Sequence, residues 1–93
     1  VVHAAVHLDD GLIANLSSER LQAVLRTKVD GIVNLAEATE GHALDLFVAY
    51  SSATTLIGSP GQGAYVAANG FLEGFMRRRR AQGKPGLAIG WGA

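Results

Sequence analysis

Hydrophobic and polar residues follow two different periods along this chain, and those periods predict alternating strands and helices. Three short apolar runs, at residues 1–8, 44–50 and 87–91, are typical of strands buried in a parallel sheet. Two longer segments between them, 18–39 and 63–82, have the spacing of helices. The order strand–helix–strand–helix–strand predicts an α/β fold, a doubly wound parallel sheet with right-handed crossovers.

The first predicted helix has an apolar stripe that contains one lysine. Ser17 or Ser18 is a credible N-cap, and the stripe lies within roughly 40° of one line at about 100° per residue. Its members are Leu21, Leu25, Ile32 and Leu35. Lys28 falls near the middle of the stripe, where an ammonium must reach water, find a partner or serve a site. The ordinary interpretation is that its stem covers the core while its charge reaches water.

A polar, glycine-punctuated stretch at 51–69 carries the candidate chemistry. Ser52 stands at the end of the second predicted strand, and Tyr65 and Asn69 lie on one face of the next helix. α/β proteins build sites outside the carboxyl ends of their strands. There a serine can donate to a carbonyl oxygen, and a tyrosine can protonate that oxygen if a cation such as Lys28 stabilises the phenolate. This set suits ketone reduction by a hydride donor, but such residues are also ordinary at these positions.

The spacing of these residues resembles the active site of short-chain dehydrogenases/reductases, with Asn69 where most of that superfamily has a lysine. The exchange, with the lysine in KVDG (28–31) instead, resembles the ketoreductase domains of modular polyketide synthases and of the related animal fatty acid synthase. Further matches follow the family's order: HAA (3–5), LDDG (8–11), FVAYSSA (47–53), GSPGQGAYVAAN (58–69) and IGWGA (89–93). The resemblance covers essentially the whole chain and implies the C-terminal part of a Rossmann-like fold.

The resemblance implies a role for each of four matched residues. Tyr65 would be the proton donor and Ser52 would bind the substrate carbonyl. Lys28 would support the tyrosine and contact the cofactor ribose, and Asn69 would complete the catalytic tetrad. The implied cofactor is NADPH. The implied substrate is a β-ketoacyl thioester on acyl carrier protein, which would be a partner together with the other domains of the synthase.

The HAA match implies that His3, Ala4 and Ala5 border the cofactor. In the family a glycine usually follows, where the backbone passes the cofactor, and this chain has Val6 there. The Cβ of Val6 is expected to crowd the nicotinamide side of the site. The three histidines of the chain show no ligand spacing, so no metal site is predicted.

The LDD match implies the stereochemistry of the product. The residues implied to orient the substrate are Leu8, Asp9, Asp10 and Gln62. LDD is the motif of B-type domains, which give the D (3R) hydroxyl. The tryptophan that marks A-type domains is replaced by Ile57, and the proline linked to α-epimerised substrates is replaced by Ala67. The resemblance therefore implies a B1-type domain.

The implied cofactor site is incomplete within these 93 residues. The sequence contains no glycine-rich phosphate loop of the G-x-G-x-x-G type and lacks the basic residue expected to bind a 2′-phosphate. We therefore expect residues 1–93 to be the C-terminal portion of one ketoreductase domain, inactive in isolation, with the missing parts before Val1. The alternative is a non-catalytic structural or interface half-domain of the same synthase.

Composition and charge exclude several other classes of protein. Residues 1–45 hold seven acids and three bases (−4), and residues 46–93 hold one acid and five bases (+4), so the chain is neutral overall. The absence of cysteine excludes disulfides and fits a cytoplasmic location. No apolar run approaches the ~20 residues that span a bilayer. The basic run 77–80 is expected to be a solvated helix end. A carrier-protein surface or a nucleic-acid module would be its alternatives, and neither nucleic acid nor membrane is a predicted partner.

Overall fold

The structure, a computed structural model, describes residues 1–92, which form a three-stranded parallel sheet with helices packed on it. The strands are β1 (Val2–His3), β2 (Val48–Ser52) and β3 (Leu87–Trp91), in the spatial order β1–β2–β3. The predicted α/β class and the third strand are confirmed. The first two strands are shorter than predicted. β2 begins at Val48, because the register pairs this residue with the first residues of both neighbouring strands, Val2 and Leu87, and it ends at Ser52, two residues later than predicted.

The first long helical segment has the predicted extent but not a uniform structure. It consists of α1 (Ser18–Leu25), a π-helical turn (Arg26–Asp30) and α2 (Gly31–Ala38), in direct succession. Ser17 is the N-cap, because its hydroxyl accepts a hydrogen bond of 3.2 Å from the backbone N–H of Arg20. A π-helical turn widens the helix locally and is frequent at functional sites.

The second long helix, α4 (Gly63–Ala81), follows a short helix α3 (Thr54–Ile57). It ends where predicted, because Gly83 adopts a positive φ of 75° that a residue with a side chain rarely takes. The N–H of Gly83 bonds to the carbonyl of Arg80, and the N–H of Lys84 bonds to that of Arg79. This pairing satisfies the last carbonyls of the helix and turns the chain towards β3.

The core lies between one face of the sheet and the two long helical segments. Its fully buried members come from α2, from the start of β2 and from α4: Ile32, Phe47, Ala49, Leu72 and Met76. Both helical segments pack on this face, since α4 contacts α1, the π-helical turn and strands β2 and β3. Within residues 1–92, apolar side chains on the strands remain exposed, among them Val2, Leu87 and Trp91. The described residues therefore cover the sheet on one side only.

The basic run near the end of α4 differs from its prediction at one residue. Arg79 is buried, with its guanidinium 3.9 Å from the centre of the Phe47 ring and its Nε donating to the carbonyl of Pro85 at 2.7 Å. The Nη1 of Arg80 donates a hydrogen bond to the carbonyl of Gly86. The expectation of a wholly solvated run was wrong for Arg79, because α4 ends over the turn that enters β3, whose carbonyls accept these bonds.

Candidate functional site

A cavity of about 370 Å³ opens at the carboxyl end of β2. Its walls come from the loop after β1, the end of β2 with α3, the start of α4 and the end of β3. They consist of Leu8, Ser51, Ser52, Ala53, Thr54, Ile57, Gln62, Tyr65, Trp91 and Gly92. Two of the four predicted catalytic residues, Ser52 and Tyr65, therefore line one space, at the edge of the sheet where α/β proteins place their sites.

Ser52 is oriented by the turn that follows it. Its Oγ accepts hydrogen bonds from the backbone N–H of Thr54 at 3.2 Å and from the Thr54 hydroxyl at 3.0 Å. A serine hydroxyl has two acceptor positions and one donor, so the O–H of Ser52 is left to donate. This is the property required of a group that binds a carbonyl oxygen. Thr54 was not among the predicted site residues, although its position two residues after a serine is a recognisable turn signal.

Lys28 and Tyr65 meet behind the cavity wall. The Lys28 Nζ lies 5.7 Å from the centre of the Tyr65 ring. The tyrosine is half-buried in the first turn of α4, with its ring part of the cavity wall. The ammonium therefore lies over the tyrosine ring at a distance typical of a cation–π contact.

Lys28 does not extend to water, so the ordinary interpretation of this residue was wrong. Lys28 is only 4% exposed, and its Nζ donates a hydrogen bond of 2.7 Å to the carbonyl of Tyr50 on β2. Burial lowers the pKa of the ammonium, because removal from water disfavours its charged form. Among the described residues, the other two donors of Nζ make no hydrogen bond.

Asn69 is fully buried on α4, one turn after Tyr65. Neither its Oδ1 nor its Nδ2 has a hydrogen-bond partner within residues 1–92. Buried amides are almost always paired, with protein groups or with ordered water. The unpaired amide is consistent with a bound water or another group next to Asn69. Asn69 does not line the cavity.

His3 faces the protein interior. It is 7% exposed, and Gly31 packs so closely that an added Cβ would lie 3.0 Å from His3 Cε1 and 3.1 Å from Nε2. Burial, with a smaller contribution from the Lys28 ammonium, lowers the pKa of His3. By contrast, Ala4 and Ala5 are exposed. The three residues predicted to border the cofactor thus lie in two environments, and His3 contacts the helix that carries Lys28.

The four residues predicted to orient the substrate also lie in different environments. Leu8 and Gln62 line the cavity, whereas Asp9 is bound to Arg20 at 2.9 Å. Asp10 accepts from Gln62 Nε2 at 3.3 Å with both carboxylate oxygens. Arg20 was not a predicted site residue, and no sequence signal connects it to Asp9.

Residues 1–92 contain neither a metal-binding cluster nor a membrane-spanning helix. No group of three or more histidine, aspartate or glutamate side chains is placed to hold a metal ion. No helix in this part of the chain combines the length and the apolar character required to cross a membrane.

The chain is similar to parts of much larger proteins. A family model described as "KR domain" matches residues 1–93. "Polyketide synthase GfsB" of Streptomyces halstedii is 50% identical over 92 residues, which are 99% of this chain and 2% of that protein. A relative from Mycobacterium tuberculosis is 47% identical over 92 residues, 99% of this chain and 6% of the relative, and its name includes the word "inactive". The chain thus spans a small fraction of these relatives.

Solved structures of ketoreductases have the same fold as this chain. "The first ketoreductase of the tylosin PKS" superimposes with a TM-score of 0.92 at 43% identity, covering 97% of this chain and 20% of that one. A short-chain dehydrogenase/reductase from Brucella melitensis, with a TM-score of 0.85 at 18% identity, covers 98% of this chain and 41% of its own. The second likeness shows the fold alone, which is Rossmann-like.

Proposed function

The chain belongs to the KR (ketoreductase) domain family of modular polyketide synthases, and from that membership we propose the reaction of its parent domain. A β-ketoacyl thioester, carried on acyl carrier protein, is reduced to the β-hydroxyacyl thioester with NADPH. Residues 1–93 form the C-terminal portion of this domain, within a multidomain synthase of polyketide or fatty acid biosynthesis in the cytoplasm. The alternative, a structural half-domain without catalysis, has its support in the relative whose name includes the word "inactive".

The observation that carries this proposal is the convergence of Ser52 and Tyr65 on one cavity, with Lys28 behind the tyrosine ring. The free O–H of Ser52 donates to the ketone oxygen and orients it. The hydroxyl of Tyr65 gives its proton to that oxygen as the carbon is reduced, which makes Tyr65 the general acid. Lys28 stabilises the phenolate that remains.

The residues present fit the ribose side of a nicotinamide cofactor. Buried Lys28 has two N–H donors without partners among the described residues, and they suit hydroxyl oxygens of a ribose. The cofactor supplies the hydride when it is bound. Asn69, whose buried amide has no partner among the described residues, completes the tetrad by holding a water or a backbone group near Lys28. Ala4 and Ala5 border the cofactor, and we assign its phosphates to residues of the parent protein outside this sequence.

We propose further that the product has the D (3R) configuration of a B1-type domain. Support comes from the cavity positions of Leu8 and Gln62 and from the hydrogen bond of Gln62 with Asp10. The other domains of the synthase are its remaining partners.

The proposal is tested with the complete parent domain and a matched pair of tyrosine variants. Tyr65→Phe removes the proton donor and is expected to lower ketoreduction of a β-ketoacyl thioester by about 10²- to 10⁴-fold. Tyr50→Phe is the control, since its ring packs on Trp91 at 5.5 Å and only its carbonyl contacts Lys28. If the unsubstituted parent domain does not reduce the thioester, the result supports the alternative, a structural half-domain without catalysis. If Tyr65→Phe reduces it as fast as the parent does, Tyr65 is not the proton donor.

A further inference from the structure

Arg20 lies on α1, and its guanidinium makes four hydrogen bonds to the segment that precedes the helix. Nε and Nη2 donate to the two carboxylate oxygens of Asp9 at 3.0 and 2.9 Å, which is a bidentate pair. Nη2 also donates to the carbonyl of Asp10 at 2.9 Å, and Nη1 donates to that of Asn15 at 3.1 Å. One side chain thus holds both ends of the loop 9–15. Bidentate arginine–carboxylate pairs constrain geometry more than single hydrogen bonds do.

The fit around the guanidinium depends on Gly11. A Cβ at this position would lie 2.9 Å from Nη2 of Arg20, so the guanidinium at the end of this side chain would have to shift. The N–H of Gly11 donates a hydrogen bond of 2.7 Å to the carbonyl of Gly61. The loop held by Arg20 is therefore fastened on its other side to the turn that precedes α4.

Two hydrogen bonds connect the loop with the cavity wall through Gln62, and a third, from Ser59, holds the Gln62 side chain. The Nε2 of Gln62 donates to both carboxylate oxygens of Asp10, and its Oε1 accepts from Ser59 at 2.8 Å. Gln62 comes three residues before Tyr65 and lines the same cavity. Leu8, the residue before Asp9, lines it as well. Arg20 is outside the cavity, but the two residues that it holds indirectly are part of the wall.

We infer that Arg20 is a positioning residue that controls which face of the ketone is presented for reduction, an inference that rests on the function proposed above. The two faces are exchanged when the thioester arm and the rest of the acyl chain swap sides in the cavity. Leu8 and Gln62 line the cavity together with Tyr65. At this position the protein must distinguish the thioester arm from the rest of the acyl chain. Arg20 fixes Leu8 and Gln62 through Asp9 and Asp10, and it touches neither substrate nor cofactor.

This role predicts a distinctive defect when the guanidinium is lost. The proton donor and the carbonyl-binding serine stay in place, so reduction continues. The loop 9–15 and Leu8 before it become mobile, so the cavity accepts both orientations of the substrate. The ratio of product stereoisomers should fall far more than the rate. A residue that only stabilises the fold would instead lower the amount of active enzyme and leave the isomer ratio of its product unchanged.

The test uses the complete parent domain with a racemic α-methyl-β-ketoacyl thioester of N-acetylcysteamine, and the four stereoisomeric products are separated on a chiral column. In Arg20→Gln the ratio of the main to the minor 3-hydroxyl isomers should fall at least about tenfold. Arg20→Lys, which keeps the charge but not the bidentate geometry, should be intermediate. Asp9→Asn should show a similar loss. Arg26→Gln is the charge-matched control on the same helical segment, since Arg26 is exposed and makes no side-chain hydrogen bond among the described residues.

Each outcome of the test has one meaning. If the unsubstituted domain reduces the thioester and the three variants keep its isomer ratio, the inference about Arg20 is wrong and the proposed function stands. If the unsubstituted domain does not reduce any β-ketoacyl thioester, the proposed function itself fails. If Arg20→Gln does not fold, Arg20→Lys and Asp9→Asn decide the question, and an unchanged isomer ratio in both overturns the inference.

Discussion

Ser51 and Glu73 are joined by a hydrogen bond of 2.7 Å between the serine Oγ and the glutamate Oε2. The bond connects the end of β2 with the middle of α4, and Ser51 is only 4% exposed. The hydroxyl of the next residue, Ser52, is held by Thr54 instead, because successive side chains of a strand point to opposite faces. Two adjacent serines thus have separate roles, and one of them bonds a strand to a helix.

The separation of these roles predicts opposite phenotypes for two neighbouring alanine variants. Ser51→Ala leaves the carboxylate of Glu73 without its partner and should lower the free energy of unfolding by about 1–3 kcal/mol. Turnover of the folded fraction should change little. Ser52→Ala should lower turnover by about 10²- to 10³-fold, because a donor to the developing oxyanion is lost. Urea unfolding and ketoreduction assays of the complete domain measure both effects, and a reversed pattern would mean that the two serines are misassigned.

The close approach of His3 to Gly31 predicts that a single methyl group disturbs the π-helical turn. Gly31→Ala places a Cβ 3.0 Å from a buried imidazole, so His3 or the helix must move. Overpacking costs about 1–3 kcal/mol and the helix gains about 1 kcal/mol from alanine, so we expect a net loss of up to about 2 kcal/mol in unfolding free energy. A fall in turnover should accompany it, because Lys28 belongs to the displaced turn.

Gly70→Ala is the matched control for that experiment. Apart from the adjacent residues and the nearby backbone of its own helix, no atom of the described residues lies within 4 Å of the added Cβ, and Gly70 is inside α4. Alanine is favoured over glycine in a helix by about 1 kcal/mol, so this variant should be slightly more stable than the parent. A Gly31→Ala variant as stable and active as Gly70→Ala would contradict the proposed role of the close packing.

Burial of His3 predicts a loss of stability on mild acidification. Its pKa in the folded protein is lowered from the ordinary value of 6.5, chiefly by desolvation. Below 6.5 the unfolded chain therefore binds a proton more readily than the folded one, and the free energy of unfolding falls as the pH decreases. Urea unfolding at pH 7.5 and 5.5 should show this loss in the parent domain, and His3→Gln should show a smaller one.

His42 provides the control for the pH experiment because its side chain is exposed. His42→Gln should keep the full loss of stability between the two pH values. If His3→Gln and His42→Gln respond to pH identically, His3 is not the source of the effect.

The composition of the chain predicts that the isolated 93 residues bind NADPH negligibly. The sequence has no glycine-rich phosphate loop, so the phosphates would have to be bound without backbone donors arranged for them. A titration followed by cofactor fluorescence should give a Kd weaker than about 1 mM, which corresponds to less than about 4 kcal/mol of binding free energy. The complete domain serves as the positive control. Micromolar affinity of the isolated chain would refute this prediction.

Local signals determined most of the secondary structure. The third strand, the extent of the first helical segment and the stop at Gly83 follow from periodicity, capping and backbone conformation, which involve residues close in sequence. The placement of Ser52 and Tyr65 at one cavity could also be predicted from the sequence. The strand that ends at Ser52 is followed closely by the helix that carries Tyr65, so few positions are possible for these two residues.

Contacts between distant segments were decided only by the tertiary structure. Arg20 binds Asp9 across a loop, Ser51 binds Glu73 across 22 residues, and Arg79 stacks on Phe47. Periodicity identified Lys28 as an anomalous charge in an apolar stripe, and the fold then placed its ammonium between Tyr50 and Tyr65. Spacing along one helix cannot specify these partners, because they come from other elements whose positions depend on how the whole sheet and its helices pack together.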